Sequence, residues 1–539
     1  MEIPPKQTLS PITHRFSKEV WILILLPFVL LLVNPSLFVS NPFHSKVDSW
    51  IYYGYFQNLP QHLKLFTSFH GYFGDRLAFI IPGYLINRIF QPGPADFILH
   101  LGFYYVSIWA LYSLMKMEFG KRVAFVTSIL FGTYHYNLWM FSWNHVDGPV
   151  NAYFLLTMLL FAKTARGPRR LISAAFSGVA FSCMIFASFQ AVKLAPGMAI
   201  FFALLLFFAW KDQAQTLREV GMIILSCILG TIGMSILFSA INYELTGDFH
   251  VLRQTFEFAK WLYEVYQVTS EITSEEVLRA YWLILPGIII SLTLVVVIRQ
   301  VVRRRFETNR MVILYSGCFL AMLLTFFLTT IKSAQFGIFV MAPCQFSYIN
   351  GGMFLALGGL ISIPVGKWRL RTAVVLTVIV LIVFIVPTAM IKPRDNSLPT
   401  GPKIVARAMA AIKEVDPEGR VHFILNAPEK DLANKCGNLN FTISGSQDDL
   451  TELYHNIAST YLWEQAARLL SNQVTVITNE WALRSLRRTD KILVLSSAEG
   501  DVTLAQQALA KYGIGTTVVS QRRIQEKEIG FTMVFLTIN

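Results

Sequence analysis

The sequence predicts a polytopic α-helical membrane protein of about eleven transmembrane helices, with interfacial helices in the first outer loop and a C-terminal extramembrane α/β domain. Three observations carry that reading. Of 539 residues, 54% are hydrophobic, and the mean hydropathy is +0.50, more apolar than soluble domains run. Apolar runs of bilayer-crossing length, roughly 17–25 residues, recur from Val20 to Ile391. After Lys392 the pattern changes to short strand-like and helix-like segments. The chain thus divides into a membrane part, 1–391, and a tail domain, 392–539.

The first run, 20–40, follows His14, Arg15 and Lys18 and has no small-residue cleavage site, so it reads as a retained helix rather than a signal peptide. The stretch from Val47 to Asn87 is too polar to cross and too aromatic to be a free loop. Within it, Leu77 to Phe90 is short and carries Pro82, Gly83, Asn87 and Arg88, which predicts a helix lying in the outer interface. The remaining predicted spans are 96–117, 121–142, 149–166, 169–190, 194–210, 219–243, 281–299, 310–331, 338–362 and 371–391.

Charge fixes their direction. With the amino terminus inside, the inner loops carry Lys116, Lys121 and Arg122; Arg166, Arg169 and Arg170; Lys211 and Arg218; Arg299 and Arg303 to Arg305; and Lys367, Arg369 and Arg371. Every strongly basic loop falls on one side, as the positive-inside rule requires. The net charge is +13, and the tail from Lys392 holds 17 basic against 16 acidic residues, so the excess belongs to the membrane part. That distribution fits membrane insertion and excludes a nucleic-acid partner. The outer face then holds 47–90, the tight Asn144-His145-Val146-Asp147 turn, the loop from Glu244 to Ala280, and the tail.

In the tail, strands are predicted at Val421–Leu425, Val474–Thr478, Ile492–Leu495, Thr516–Val519 and Thr532–Thr537, and helices at Leu450–Leu470 and Val502–Tyr512. Five scattered cysteines form no disulfide framework or metal motif. No Walker loop, GxGxxG, HExxH or nucleophile elbow stands in its required context.

The candidate residues gather in the outer connections. Asp48, at the exit of the first span, reads as a general base or as a helix cap. Asp147 precedes Gly148-Pro149 in a turn too short to leave the membrane surface, and it reads as a site carboxylate or an N-cap. His145 is a proton carrier, a ligand or a structural residue. Lys193, before Pro196 at an outer helix junction, binds a phosphate or snorkels. Arg76 carries the planar fork that suits a diphosphate, or pairs with lipid headgroups, and Asp75, His145, Tyr52 and Tyr53 are candidate substrate contacts in the outer connections. Asp48, His145 and Asp147 are a divalent-ion option, but the sequence fixes no full oxygen set, so no metal or other cofactor is assigned.

In order, the chain shows Val47-Asp48-Ser49-Trp50-Ile51-Tyr52-Tyr53 after the first span and Asp75-Arg76-Leu77 before an aromatic run with Pro82. The basic turn Phe119-Gly120-Lys121-Arg122 follows, then Asn144-His145-Val146-Asp147-Gly148-Pro149, and finally Lys193 before a proline. This order resembles the GT-C superfamily of integral-membrane glycosyltransferases, in the branch of protein O-mannosyltransferases and lipid A aminoarabinose transferases. The resemblance implies a GT-C-like membrane catalytic domain at 1–391. It also implies transfer of a sugar from a polyprenyl-phosphate donor to a lipid, glycan or protein acceptor on the outer face.

By position, Asp48 becomes the acceptor-activating carboxylate, Asp147 the second acidic residue, and Lys193 and Arg76 the donor-phosphate contacts. The chain departs from the family in having Ser49 after Asp48, and Val146-Asp147-Gly148 in place of a Pro-Asp-Ala type turn. The expected setting is a bacterial cytoplasmic membrane with the site on its periplasmic face and the tail beside it. A flippase or transporter of lipid-linked sugar, or a non-enzymatic assembly protein, is the competing reading. The first predicts mid-span charges and a repeated half; the sequence shows few such charges and no repeat.

Overall fold

The computed structural model describes residues 18–35, 37–38, scattered positions between 52 and 63, 73–90, 92–142, 145–212, 215–253, 255–256, 284–302, 310–331 and 343–365. In the tail it describes 411, 414–415, 421–425, 475–476, 491–496, 501–511, 513–526 and 529–539. Asp48, Tyr53, the expected span 371–391 and the expected helix 450–470 lie outside the described residues.

The described elements of the membrane part are all helices. Its elements are α1 (Lys18–Val33), α2 (Leu77–Ile89), α3 (Pro92–Phe119), α4 (Lys121–Thr133), α5 (His135–Met140), α6 (Asp147–Arg166) and α7 (Arg170–Ala187). A 3-10 turn (Phe189–Leu194) leads to α8 (Ala195–Lys211), α9 (Leu217–Thr246), α10 (Ile284–Val302), α11 (Arg310–Ile331) and α12 (Pro343–Val365). Among the described residues four helical stretches are long and apolar enough to cross a membrane: Pro94–Phe119, Arg170–Ala187, Phe189–Lys211 and Leu217–Thr246. The count of eleven rests on the sequence. The 13-residue α2 reaches only about 20 Å, short of a hydrocarbon core of about 30 Å, which fits a helix that does not cross.

The central helix is α6. Fifteen of its twenty residues are buried, so it is covered all round rather than along one stripe. It packs against α3, α7, α8 and α12. Its length, about 30 Å, separates two ends of different chemistry. At its start lie the connections that the charge rule assigns to the outer face. At its finish Arg166 pairs with Glu118 at 2.6 Å, Arg310 pairs with Asp212 at 2.6 Å, and Gln215 donates to the Ala165 carbonyl.

By contrast, α9 exposes Leu225, Ile228, Leu229, Ile232, Ile236 and Leu237. Such a face is at home only against lipid or another apolar partner. Its other face lies on α7 through small residues. Gly178 and Gly230 admit backbone of the facing helix, Thr231 Oγ1 donates to the Gly178 carbonyl, and the Ser182 and Ser235 hydroxyls stand 3.0 Å apart. That is how helices associate where there is no water to drive them together.

The described tail forms one sheet in the order β2-β1-β3-β5-β4, with β1 (Val421–Leu425), β2 (Thr475–Val476), β3 (Lys491–Ser496), β4 (Thr516–Glu526) and β5 (Ile529–Ile538). Pairs β1–β2 and β1–β3 are parallel, while β3–β5 and β4–β5 are antiparallel. Ile492, Val534 and Leu536 pack on Leu509 of α13 (Asp501–Lys511) to form its core. All five strands fall on the expected segments, with β4 and β5 running longer and β2 shorter.

Candidate functional site

The site is built where α6 begins. The N-cap of α6 is Val146, and no side chain caps it. This corrects the capping reading of Asp147, which is the first helical residue. Its side chain is fully buried, and neither carboxylate oxygen has a hydrogen-bond partner among the described residues. His145 Nδ1 stands 3.0 Å from Asp147 Oδ2. An acidic group in a first helical turn is favoured by the helix dipole, but burial demands more than that. The imidazole is the titratable neighbour that the turn brings to it.

The turn itself is held from below. Asn151, one helical turn on, donates to the Asp147 carbonyl at 3.2 Å and accepts from the Gly351 amide of α12 at 3.0 Å. Asn350 donates to Asn137 of α5 at 3.2 Å, and Asn137 donates to the Phe131 carbonyl at 2.8 Å. This buried amide network ties α5, α6 and α12 together beneath Asp147. The sequence reading missed it, although asparagines inside apolar runs were the available signal.

The described residues of the connection between α1 and α2 cover this turn. Tyr52, Tyr55, Phe56, Leu59 and Leu63 are helical and buried at i, i+3, i+4, i+7 and i+11 spacing. The Tyr52 ring meets His145 edge-on, with centroids 6.3 Å apart, and meets Phe73 and Phe79 at 5.5 and 5.1 Å. The Arg76 guanidinium lies 5.4 Å from the Tyr52 ring and 5.3 Å from Phe73. A cation held on two aromatic faces is oriented before any ligand arrives. The Tyr52 hydroxyl is buried with no hydrogen-bond partner among the described residues. Thus Tyr52 touches both Arg76 from the first connection and His145 from the second. Behind them, Tyr153 of α6 donates to the Ala78 carbonyl at 2.9 Å and locks α2 to the central helix.

Asp75 is buried, and its Oδ2 accepts from the backbone N–H of Thr255 at 2.8 Å and from its hydroxyl at 2.7 Å. It fastens the connection after α9 to the first one. Tyr55 feels the same carboxylate: burial first, and the Asp75 charge second, hold its hydroxyl above the ordinary phenol range, so it stays protonated. Lys193 lies half-buried in the 3-10 turn, whose backbone is pinned by Thr325 of α11 donating to the Lys193 carbonyl at 3.0 Å. The turn reaches the rest of the site through Phe189, 4.9 Å from Phe256, the neighbour of Thr255.

The structure therefore brings Tyr52, Arg76, His145 and Asp147 into one cluster, with Asp75 at its edge. Lys193 joins through an intermediary. Among the described residues no three His, Cys, Asp or Glu side chains gather as a metal set; Asp48, the third member of the divalent-ion option, is outside them.

No family model and no curated protein matches the chain. Among solved structures the chain is similar to an oligosaccharyltransferase of Archaeoglobus fulgidus, crystallised with zinc and sulfate. Identity is 11%, and the TM-score is 0.38 over 74% of this chain. The match spans 55% of the length of the archaeal protein.

Proposed function

We propose that the chain is a membrane glycosyltransferase that moves a sugar from a polyprenyl-phosphate donor to an acceptor at the end of the bundle where α6 begins. The observation that carries this reading is the contact of Tyr52 with both Arg76 and His145, the latter 3.0 Å from the buried Asp147 carboxylate. A lipid-borne sugar phosphate needs a cation for the leaving phosphate, a base for the acceptor, and walls that exclude water. All three types of group meet here.

In this mechanism Asp147 orients the His145 ring, and the imidazole takes the proton of the acceptor hydroxyl or amine. The acceptor atom attacks the anomeric carbon as the bond from that carbon to the phosphate oxygen breaks. The electron pair leaves with the polyprenyl phosphate, whose charge Arg76 meets, with Lys193 as its further contact. A single displacement inverts the anomeric centre. Asp48 keeps the role of a second base, and Tyr52, Tyr53 and Asp75 shape the sugar site. The donor, the acceptor and the periplasmic side belong to this proposal.

The test uses the full chain in nanodiscs with a synthetic polyprenyl-phosphate sugar. Asp147→Asn is expected to lower the turnover by about 10²- to 10⁴-fold, the usual worth of positioned acid–base groups, with the melting temperature kept. A folded Asp147→Asn protein that transfers at the wild-type rate removes this site from the chemistry.

A further inference from the structure

A cavity opens near the other end of the central helix. It is about 720 Å³, well inside the range that holds small ligands, and it runs between α8 and α11. Its walls include Ile200, Leu204, Phe208, Ile313, Leu314 and Gly317, and its mouth is formed by Lys211, Asp212 and Arg310. Along α8 the lining extends from Ile200 to Lys211, about 16 Å of helix. A smaller cavity of about 240 Å³ adjoins it, shares Phe208, Asp212 and Arg310, and adds Arg166 and Arg170. A long apolar slot with a basic mouth matches a molecule with an alkyl tail and an anionic head.

The mouth is ordered. Arg310 is gripped by both oxygens of Asp212, at 3.1 and 2.6 Å, and its guanidinium lies 5.6 Å from the Phe208 ring. Four cations and one carboxylate line the two cavities. Glu118 on Arg166 and Glu219, 3.9 Å from Arg170, leave a net positive rim. Beside the slot, Ile200, Leu204, Phe207 and Trp210 are exposed on a helix apolar enough to cross a membrane. The slot therefore opens toward lipid, and an occupant enters sideways from the bilayer. The basic mouth lies at the Arg166 end of α6, about 30 Å of helix from Asp147, so a lipid whose head sits at that mouth does not present it to the proposed site.

We propose that this slot binds an anionic phospholipid of the leaflet that faces the basic loops, with its phosphate at Lys211 and Arg310 and one acyl chain along α8. Basic pockets between helices on that side of a membrane are where acidic lipid heads collect.

The experiment is native mass spectrometry of delipidated full-length protein titrated with phosphatidylglycerol, with phosphatidylcholine of the same chains, and with a short polyprenyl phosphate. Phosphatidylglycerol is expected to bind more tightly than phosphatidylcholine, and Lys211→Gln to weaken it about fivefold, the worth of one cation near an acidic lipid. Because a change at Arg310 also breaks the Asp212 pair, the second variant is Gly317→Leu. A Cβ at Gly317 meets nothing within 4 Å, so the new side chain fills the slot and leaves the rim intact; it is expected to remove the preference. Equal binding of the two phospholipids, undiminished binding by Gly317→Leu, or displacement of phosphatidylglycerol by stoichiometric polyprenyl phosphate each overturns the proposal. None of these results bears on whether Asp147 takes part in transfer.

Discussion

The contact between α7 and α9 yields a quantitative prediction. A Cβ on Gly178 would run into the Cys227 carbonyl oxygen, and it would stand 2.7 Å from Thr231 N where ordinary contact begins at 3.4 Å. Relieving the Thr231 contact alone requires the helices to part by about 0.7 Å, and the closer Cys227 oxygen requires more; a gap of about 0.5–1 Å already forfeits a quarter to a half of the dispersion well for each contact it opens. Gly230 meets the Ala175 carbonyl group in the same way. Overpacking of this kind costs about 1–3 kcal/mol. Parting also weakens the Thr231 hydroxyl bond to Gly178 and the Ser182–Ser235 contact, about 0.6 kcal/mol each between membrane helices.

Gly178→Ala and Gly230→Ala are therefore expected to destabilise by about 2–4 kcal/mol, read by equilibrium unfolding in mixed micelles. Their combination is expected to fall short of the sum, since either one already parts the same pair. The internal control is Gly233, three residues from Gly230 on the same helix, where a Cβ meets nothing within 4 Å. Gly233→Ala is expected to be neutral or to gain up to about 1 kcal/mol through helix propensity. Equal shifts for Gly230→Ala and Gly233→Ala would refute the close-approach argument.

Three further outcomes follow from the site and the charged end of the bundle. Arg76→Lys keeps the charge but loses the flat guanidinium on Tyr52 and Phe73; it is expected to raise the KM for a polyprenyl-phosphate donor about tenfold with kcat less affected, and an unchanged KM would remove Arg76 from donor binding. Asp75→Ala deletes two hydrogen bonds to Thr255 and is expected to cost about 2 kcal/mol and to speed exchange of the Thr255 amide, with exchange at α6 unchanged. The Asp212 carboxyl is held below the ordinary carboxylate range, chiefly by its bond from Arg310 and then by the Arg310, Lys211 and Arg166 charges. A depressed pKa stabilises the fold above the unfolded value, about 3.9, and that contribution is lost as pH falls through the folded value. Wild type is thus expected to exceed Asp212→Asn in stability near neutrality and to converge with it below about pH 4; a difference that persists there contradicts the pairing.

Much of the architecture was legible because it follows from local periodicity. A strand such as Val421–Leu425 or a helix such as Val502–Tyr512 announces itself through its own residues, and the structure finds both within a residue of the expected bounds. The helix start at Asp147 was readable to within a residue or two from its Gly-Pro. What the sequence withheld were encounters between distant segments. Nothing near Tyr52 says that its ring meets His145, ninety-three positions on. Nothing near Gly178 says that a carbonyl of α9 fills its missing side chain. Asp147 shows the limit most sharply: its neighbours spell a helix cap, yet Val146 takes that position and frees the carboxylate for His145. Start signals are good to a residue or two, and here one residue changes the chemistry.

The full enclosure of α6 has a mechanical consequence. A rod wedged on every side has no room to slide, tilt or turn, so the depth of Asp147 below the surface is fixed at folding. For the proposed transfer, room for a lipid-borne sugar has to come from the lighter parts beside the helix, the short α2 and the aromatic side chains around Tyr52. The two bonds from Thr255 to Asp75 tie those parts to the connection after α9, so cutting them loosens the surroundings of Asp147 and leaves the helix that carries it in place.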